Sequence, residues 1–160
     1  MTDLKALNKR YKQAVNKIAA DLAIPYGWLD GGCLVLSDAL VLWGQGILKP
    51  GGVLRCPTGK SPYLDHAFAY HEDFEEGSCV LVDGDGFQTP HRMLNKIRTL
   101  THDANEALYF SPCHALAKGV PANLKQSRLI AKTLEQLLGS LEDFLTLKTS
   151  CPTSRKCRTT

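Results

Sequence analysis

The sequence predicts a single α+β domain, and three observations support that prediction. Apolar residues recur at helical spacing near both ends of the chain, whereas the middle carries short β-favouring runs separated by Pro, Gly and acidic turns. The chain has 160 residues, the size of one ordinary domain, and it contains no internal repeat. We therefore expect one domain over residues 1–147, followed by a basic, flexible tail over residues 148–160.

Composition narrows the function classes. Apolar residues make up 44% of the chain and charged residues 22%, which is ordinary for a globular protein, and the formal charge of +3 is too small to predict nucleic-acid binding. The first twenty residues carry charges and no continuous apolar run, so neither a signal peptide nor a membrane helix is expected. A cytoplasmic protein with no membrane partner is the resulting prediction, and its six cysteines are expected to be thiols. The oligomeric state is left open.

The first half of the chain carries two predicted helices of different character. Leu4–Leu22 has apolar residues at spacings of three and four, which predicts an amphipathic helix that Pro25 ends. A second helix is expected to begin at Cys33 and to run through Trp43 before Gly44 stops it. Because that second segment is apolar on most sides, we expect it to be central and buried, packed on the sheet.

Three β-runs follow, and we expect them to form a small antiparallel meander. They are Gly52–Cys56, Leu64–His71 and Ser78–Asp83. Side chains alternate along a strand, so His66 and Phe68 are expected on one face.

Two more helices are predicted in the second half of the chain. Thr89 is a suitable cap and Pro90 a suitable first residue for a helix that runs through Leu100. A last helix is expected over Asn123–Leu147, with Gly139 as its weak point.

Cys33 is the candidate nucleophile. It stands at the predicted start of a helix, where unpaired N–H groups and the helix dipole favour a thiolate. The preceding Gly31-Gly32 pair permits a sharp turn and a close approach by substrate, and the Cys33 N–H is a candidate oxyanion donor. The alternative interpretation is a buried structural cysteine on an apolar helix, which is a common environment for this residue.

His66 is the candidate general base and acid. A histidine inside an apolar strand needs partners for its ring nitrogens, whereas the other histidines lie in polar or turn-like stretches. Asp83 ends the next strand, where an antiparallel return would bring it beside His66 to orient the imidazole. Asp85 is the reserve candidate. The alternatives are a hydrogen-bonded core histidine and a plain Asp-Gly turn.

The joint order resembles a known superfamily. A cysteine opens the core helix, a histidine lies in a following strand, and an aspartate ends the strand after it. This order, carried by Trp28–Cys33, Asp65–Phe68 and Leu81–Asp83, resembles papain-like cysteine hydrolases and, most closely, transglutaminase-like proteins. The resemblance covers residues 26 to about 100. It implies a papain-like or transglutaminase-like core with extra helices at both ends.

The resemblance implies acyl transfer on a protein or peptide carboxamide by a peptidase, amidase or deamidase. Cys33 would attack the carbonyl carbon, His66 would move the proton and Asp83 would hold His66. Tyr26, Trp28 and Gly32 would line the substrate site; no Asn or Gln is identified as an oxyanion donor. The rival prediction is a binding or inhibitor protein that uses this scaffold without catalysis.

Metal and cofactor sites are not predicted. The acidic cluster around Glu72–Glu76 is interpreted as a solvated turn, and the spacing in Asp83–Gly86 does not fit an EF-hand. Cys113-His114 has no companion pair at zinc-finger spacing among Cys56, Cys151 and Cys157.

Overall fold

The structure is a computed structural model that describes residues 4–24, 27–28, 31–71, 79–101, 107–111 and 123–146. These residues form an α+β fold in which helices pack on an antiparallel sheet. In chain order the elements are α1 (Leu4–Asp21), α2 (Cys33–Gly44), β1 (Leu48–Cys56), β2 (Tyr63–His71), β3 (Val80–Asp83), β4 (Gly86–Gln88), α3 (Pro90–Thr101), β5 (Ala107–Ser111), α4 (Leu124–Leu138) and α5 (Leu141–Thr146).

The sheet is open and has the strand order β4-β3-β2-β1-β5. Each neighbouring pair is antiparallel, so β1 to β4 form a meander and β5 returns to pair with the outer edge of β1. The central pair is β1 with β2, whose register changes between Val53 and Leu54. The predicted meander is confirmed for these strands.

Two clusters of buried side chains lie on the sheet. The larger joins α1, α2, α4 and α5 to the sheet through apolar residues such as Leu48, Ala69 and Val82. The smaller joins α3 to the sheet and contains Val53, Phe68, Leu81, Met93 and Ile97. Since Val82 lies in one cluster and Leu81 in the other, helices cover both faces of β3, which explains why its first three residues are all apolar.

Helix α2 is the central helix, as its sequence predicts. Ala39 and Leu40 are fully buried, and the helix packs against β1, β2 and β3 on one side and α4 on the other. The buried hydroxyl of Ser37 donates a 2.6 Å hydrogen bond to the carbonyl of Phe68. This bond fixes α2 on the histidine-bearing strand one turn after Cys33.

Strand β1 is longer than the sequence predicts, because it begins at Leu48 rather than Gly52. Pro50 lies within it, opposite Ala69 of β2. Pro50 has no N–H, but β5 pairs only with Gly52–Cys56, so at Pro50 the second edge of β1 has no strand beside it in the described residues.

Two other expectations need correction, and one lies outside the described residues. Strands β4 and β5 are absent from the prediction, since the first has three residues and the second has no clear alternation. The last helix is not continuous over Asn123–Leu147, because Gly139 has φ +84° and separates α4 from α5. The predicted tail, residues 148–160, lies outside the described residues. Within the described part of the chain, no helix combines the length and apolar character that a membrane crossing needs.

Candidate active site

Cys33 is the first residue of α2, as predicted. Gly31 has φ +95°, a left-handed conformation that favours glycine, and it turns the chain into the helix. Gly32 is the N-cap residue, and its carbonyl accepts the first helical bond from the Leu36 N–H at 3.0 Å. Gly32 has no side chain that could cap the first turn of the helix. The N–H of Leu34 donates to the Cys33 sulfur.

Strand register places Asp83 near His66. Ala69 is opposite Val82, so the next position along β3, Asp83, comes level with Phe68, two residues from His66. Positions two apart on a strand share a face, and diagonal neighbours across a strand pair lie within reach of longer side chains. The Nε2 atom of His66 lies 3.0 Å from Oδ2 of Asp83, and both side chains are buried.

The Asp83 carboxylate accepts four hydrogen bonds. Its Oδ2 atom accepts from His66 and, at 2.8 Å, from Nζ of Lys96. Its Oδ1 atom accepts from the backbone N–H of Asp85 and from Nε2 of Gln88, each at 2.8 Å. All four donors point at an ionised carboxylate, so Asp83 can be charged although only 2% of its surface is exposed.

The charges of Asp83 and His66 depend on each other. Burial alone would raise the pKa of Asp83, but the hydrogen bond from His66 and the nearby Lys96 charge lower it. Burial alone would lower the pKa of His66, yet hydrogen bonds with Asp83 and Cys33 raise it to about 9. At neutral pH the imidazole is therefore protonated and can donate from both ring nitrogens.

The pKa of the Cys33 thiol is lowered. Partial burial of the side chain by itself would raise this pKa, but the hydrogen bonds from His66 and from the Ala67 N–H outweigh that effect. With Nε2 of His66 bonded to Asp83, Nδ1 is the ring nitrogen left for the sulfur. The structure thus brings all three predicted residues, Cys33, His66 and Asp83, into one connected chain of hydrogen bonds.

Two residues of this cluster are missing from the prediction. Lys96 comes from α3, and Gln88 from β4. No pattern in the local sequence sets Lys96 apart from its neighbours on an amphipathic helix, and β4 itself is too short to predict. Asp85, the reserve candidate, does not replace Asp83: its carboxylate binds Nζ of Lys96 at 2.7 Å.

A partly buried ion pair restrains the strand that carries His66. Arg55 donates from Nε to Oδ1 of Asp65 at 2.9 Å and from Nη2 to Oδ2 of the same residue at 3.3 Å. Arg55 is 3% exposed and faces a residue adjacent to His66. Because Arg55 is almost wholly enclosed, the pair restrains β1 against β2 beside the register change.

The structure describes two of the three residues that are predicted to line the substrate site. Tyr26 lies outside the described residues, and Gly32 stands directly before Cys33. Trp28 is buried, and its Cβ lies so near Gly84 that a side chain there would collide with it. Its indole N–H has no hydrogen-bond partner among the described residues, as is also true of the Tyr11 hydroxyl. Trp28 therefore packs against the hairpin that follows Asp83.

No metal centre is found in the described residues, where no three His, Cys, Asp or Glu side chains could hold an ion together. The acidic cluster Glu72–Glu76, Cys113-His114 and the pair Cys151 and Cys157 lie outside these residues. Cys33 and Cys56 form no disulfide bond.

Comparisons with protein-family models, with curated proteins and with solved structures give no match to this chain.

Proposed function

We propose that this chain is a cysteine-nucleophile acyl-transfer enzyme, a peptidase, amidase or deamidase that acts on a protein or peptide carboxamide. The observation that carries the proposal is the hydrogen-bonded series Cys33, His66 and Asp83, in which the thiol pKa is lowered and the imidazole pKa is raised to about 9. At neutral pH this order favours a thiolate beside an imidazolium. A thiolate is the nucleophilic form of cysteine, and an imidazolium is a proton donor.

Acylation would begin with attack of the Cys33 sulfur on the carbonyl carbon, which forms a C–S bond and places negative charge on oxygen. The N–H groups at the start of α2 are suited to that charge. When the C–N bond breaks, His66 gives its proton to the departing amine. The product is a thioester on Cys33.

Deacylation would reverse the proton movement. Neutral His66 takes a proton from water or from an amine as that acceptor attacks the thioester, the C–S bond breaks, and thiolate and imidazolium are restored. Water gives hydrolysis or deamidation, and an amine gives acyl transfer. Asp83 holds the ring in one orientation throughout and stabilises its protonated form.

A papain-like or transglutaminase-like core is part of the proposal. Its support is the central helix that opens with cysteine, the antiparallel sheet against that helix, and the chain order of Cys33, His66 and Asp83.

The rival is a binding or inhibitor protein on the same scaffold, and one observation favours it. Tyr109 and Phe110 on the edge strand β5 are 57% and 40% exposed, and Tyr63 on β2 is 47% exposed. Exposed aromatic side chains are enriched at interaction surfaces. These side chains are compatible with either function, so the reactivity of Cys33 has to decide between them.

The first test is alkylation with iodoacetamide from pH 4 to pH 10, with the modified cysteines located by mass spectrometry. We expect Cys33 to react well below the ordinary thiol pKa of about 8.5. His66→Ala should abolish that low-pH reaction, whereas Cys56→Ala, which removes another half-buried thiol, should leave it unchanged.

The second test asks for the acyl-enzyme itself. The protein is mixed with the p-nitrophenyl ester of an acylated amino acid, an activated acyl donor, and its intact mass is followed. An adduct on Cys33 that hydroxylamine removes would be the expected thioester, and Cys33→Ala should not form it. If Cys33 neither reacts at low pH nor accepts the acyl group, the enzyme proposal is wrong and the binding function takes its place.

A further inference from the structure

A second cation lies at the candidate active site. Nζ of Lys96 is 2.8 Å from Oδ2 of Asp83 and 2.7 Å from Oδ2 of Asp85, and only 21% of its side chain is exposed. The Oδ2 atom of Asp83 is the same oxygen that accepts from His66 at 3.0 Å. An ammonium and an imidazolium therefore share one carboxylate oxygen.

We propose that Lys96 is a positioning residue of the candidate active site, whose ammonium shares Oδ2 of Asp83 with His66 and weakens the hold of that carboxylate on the imidazolium. This inference rests on the proposed function. Lys96 acts through Asp83 and is not assigned a contact with substrate.

The physical reason is competition between two cations. A carboxylate that served His66 alone would stabilise the imidazolium strongly, and a strongly held proton is a poor donor to a leaving group. Since both nitrogens lie near 3 Å from one oxygen, they are at most about 6 Å apart, a range in which like charges disfavour each other's protonated forms. Lys96 thus limits how far Asp83 raises the proton affinity of His66.

Lys96 is also held in place independently of His66. Asp85 binds it at 2.7 Å, and Asp85 is itself fixed by its backbone N–H, which donates to Asp83. On α1, Nζ of Lys12 lies 3.9 Å from the other oxygen of Asp85. The bond to Asp85 therefore helps to keep the Lys96 ammonium beside Asp83.

Several other groups surround His66 and Asp83, and a substitution of Lys96 leaves all of them present. Burial raises the pKa of the Tyr11 hydroxyl, and the charges of Asp83 and Asp85 raise it further, so Tyr11 stays neutral at physiological pH. Charged or titratable groups that adjoin this pair in the described residues include Cys33, Asp85, Lys12, Tyr11, Arg55 and Asp65.

The test is the titration of the His66 ring followed by NMR of its imidazole C–H signals, assigned by comparison with His66→Ala. Lys96→Met removes the charge and keeps most of the side-chain volume, and Lys96→Arg keeps the charge. Lys132→Met is the matched control, because it makes the same change at an exposed lysine of α4. Unfolding in urea is measured for every variant.

We expect the wild-type ring to titrate near pH 9. Lys96→Met should raise that value by about one unit, since it removes a neighbouring positive charge. Lys96→Arg and Lys132→Met should titrate as the wild type does. The alkaline step of Cys33 alkylation should move with the His66 titration, whereas a purely structural lysine would lower stability without moving either curve.

The outcomes separate this inference from the proposed function. A wild-type ring that titrates near pH 9, with no upward shift in Lys96→Met, would overturn the role of Lys96 alone. A wild-type ring with an ordinary pKa of about 6.5 and an inert Cys33 would overturn both proposals. If Lys96→Met does not fold, Lys96→Gln, which is neutral but keeps a hydrogen-bond donor, decides the question by the same shift.

Discussion

At the scale of the residue, Asp83 determines the charge state of the whole cluster. An isolated carboxylate as buried as this one would tend to take up a proton. Here four donors, from His66, Lys96, Gln88 and the backbone of Asp85, keep it ionised. The ionised carboxylate in turn favours the protonated form of His66, and the protonated ring lowers the pKa of the Cys33 thiol.

Asp83→Asn tests whether the charge of Asp83 controls the protonation of His66 and, through it, the pKa of Cys33. Asp83 is the main partner that raises the pKa of His66, so without the carboxylate we expect that pKa to fall from about 9. Cys33 then loses much of the imidazolium whose hydrogen bond lowers its pKa, so the pKa of the thiol should rise. We expect alkylation of Cys33 by iodoacetamide at pH 7 to slow by about tenfold or more.

The matched control for that experiment is Asp21→Asn, which removes an exposed carboxylate paired with Lys17 at 2.8 Å. Exposed pairs of this kind contribute little, so Cys33 alkylation should not change. Equal rates in wild type and Asp83→Asn would show that Cys33 owes its reactivity to something other than the imidazolium.

At the scale of the element, the β3–β4 hairpin sets the position of the Asp83 and Asp85 side chains. Its turn consists of Gly84 and Asp85, and Gly86 follows with φ +100°. Asn8 of α1 fixes the far side of the turn by bonding both backbone groups of Phe87, accepting from its N–H at 2.6 Å and donating to its carbonyl at 2.9 Å. The first helix therefore supports the site although it lies outside the predicted core.

Gly86→Ala should destabilise the protein through two effects. A side chain at φ +100° is strained, and its Cβ would collide with Oδ1 of Asn8. Gly59→Ala is the matched control, because Gly59 has φ +74° but no atom near the added Cβ. We expect a loss of about 1 kcal/mol in the free energy of unfolding for Gly59→Ala and clearly more for Gly86→Ala.

Urea unfolding monitored by tryptophan fluorescence measures both variants. If the two variants lose the same free energy of unfolding, the close approach of Asn8 to Gly86 does not restrict the residue at that position.

Secondary structure near the site was well predicted where the signal is local. The start of α2 at Cys33 follows from two glycines before an apolar run, and β2 and β3 follow from β-favouring runs between turns. Strands β4 and β5 lie at the two edges of the sheet; β4 has only three residues, and β5 pairs with β1, which is far away along the sequence, so their own residues carry little information.

At the scale of the whole molecule, one buried ring links several elements. Phe144 of α5 is fully buried, and its ring centre lies 5.7 Å from that of Trp43 in α2 and 6.0 Å from that of Phe87 in β4. The guanidinium of Arg10 in α1 lies 5.2 Å from the same ring. The short α5 therefore closes the core at which α1, α2 and the sheet meet.

Phe144→Ala should lower the free energy of unfolding by about 3–5 kcal/mol, because it removes a fully enclosed ring and leaves a cavity. Leu129→Ala on α4 is the control: Leu129 is 47% exposed, so its loss should change the free energy by less than about 0.5 kcal/mol. Thermal and urea unfolding provide the measurement. Cys33 alkylation per folded molecule should be unaffected, and a large change there would mean that this core also shapes the site.

The sequence by itself determined the main parts of the candidate site. The nucleophile at a helix start, the histidine within a strand and the aspartate at the end of the next strand can be recognised because each depends on residues within a few positions of it. Only the tertiary structure decided which groups set the charges of these side chains and keep them in position. Lys96 of α3 and Gln88 of β4 bond Asp83, and Asn8 of α1 bonds Phe87 in the supporting hairpin. These contacts depend on the packing of separate elements, which no local pattern of apolar and polar residues encodes.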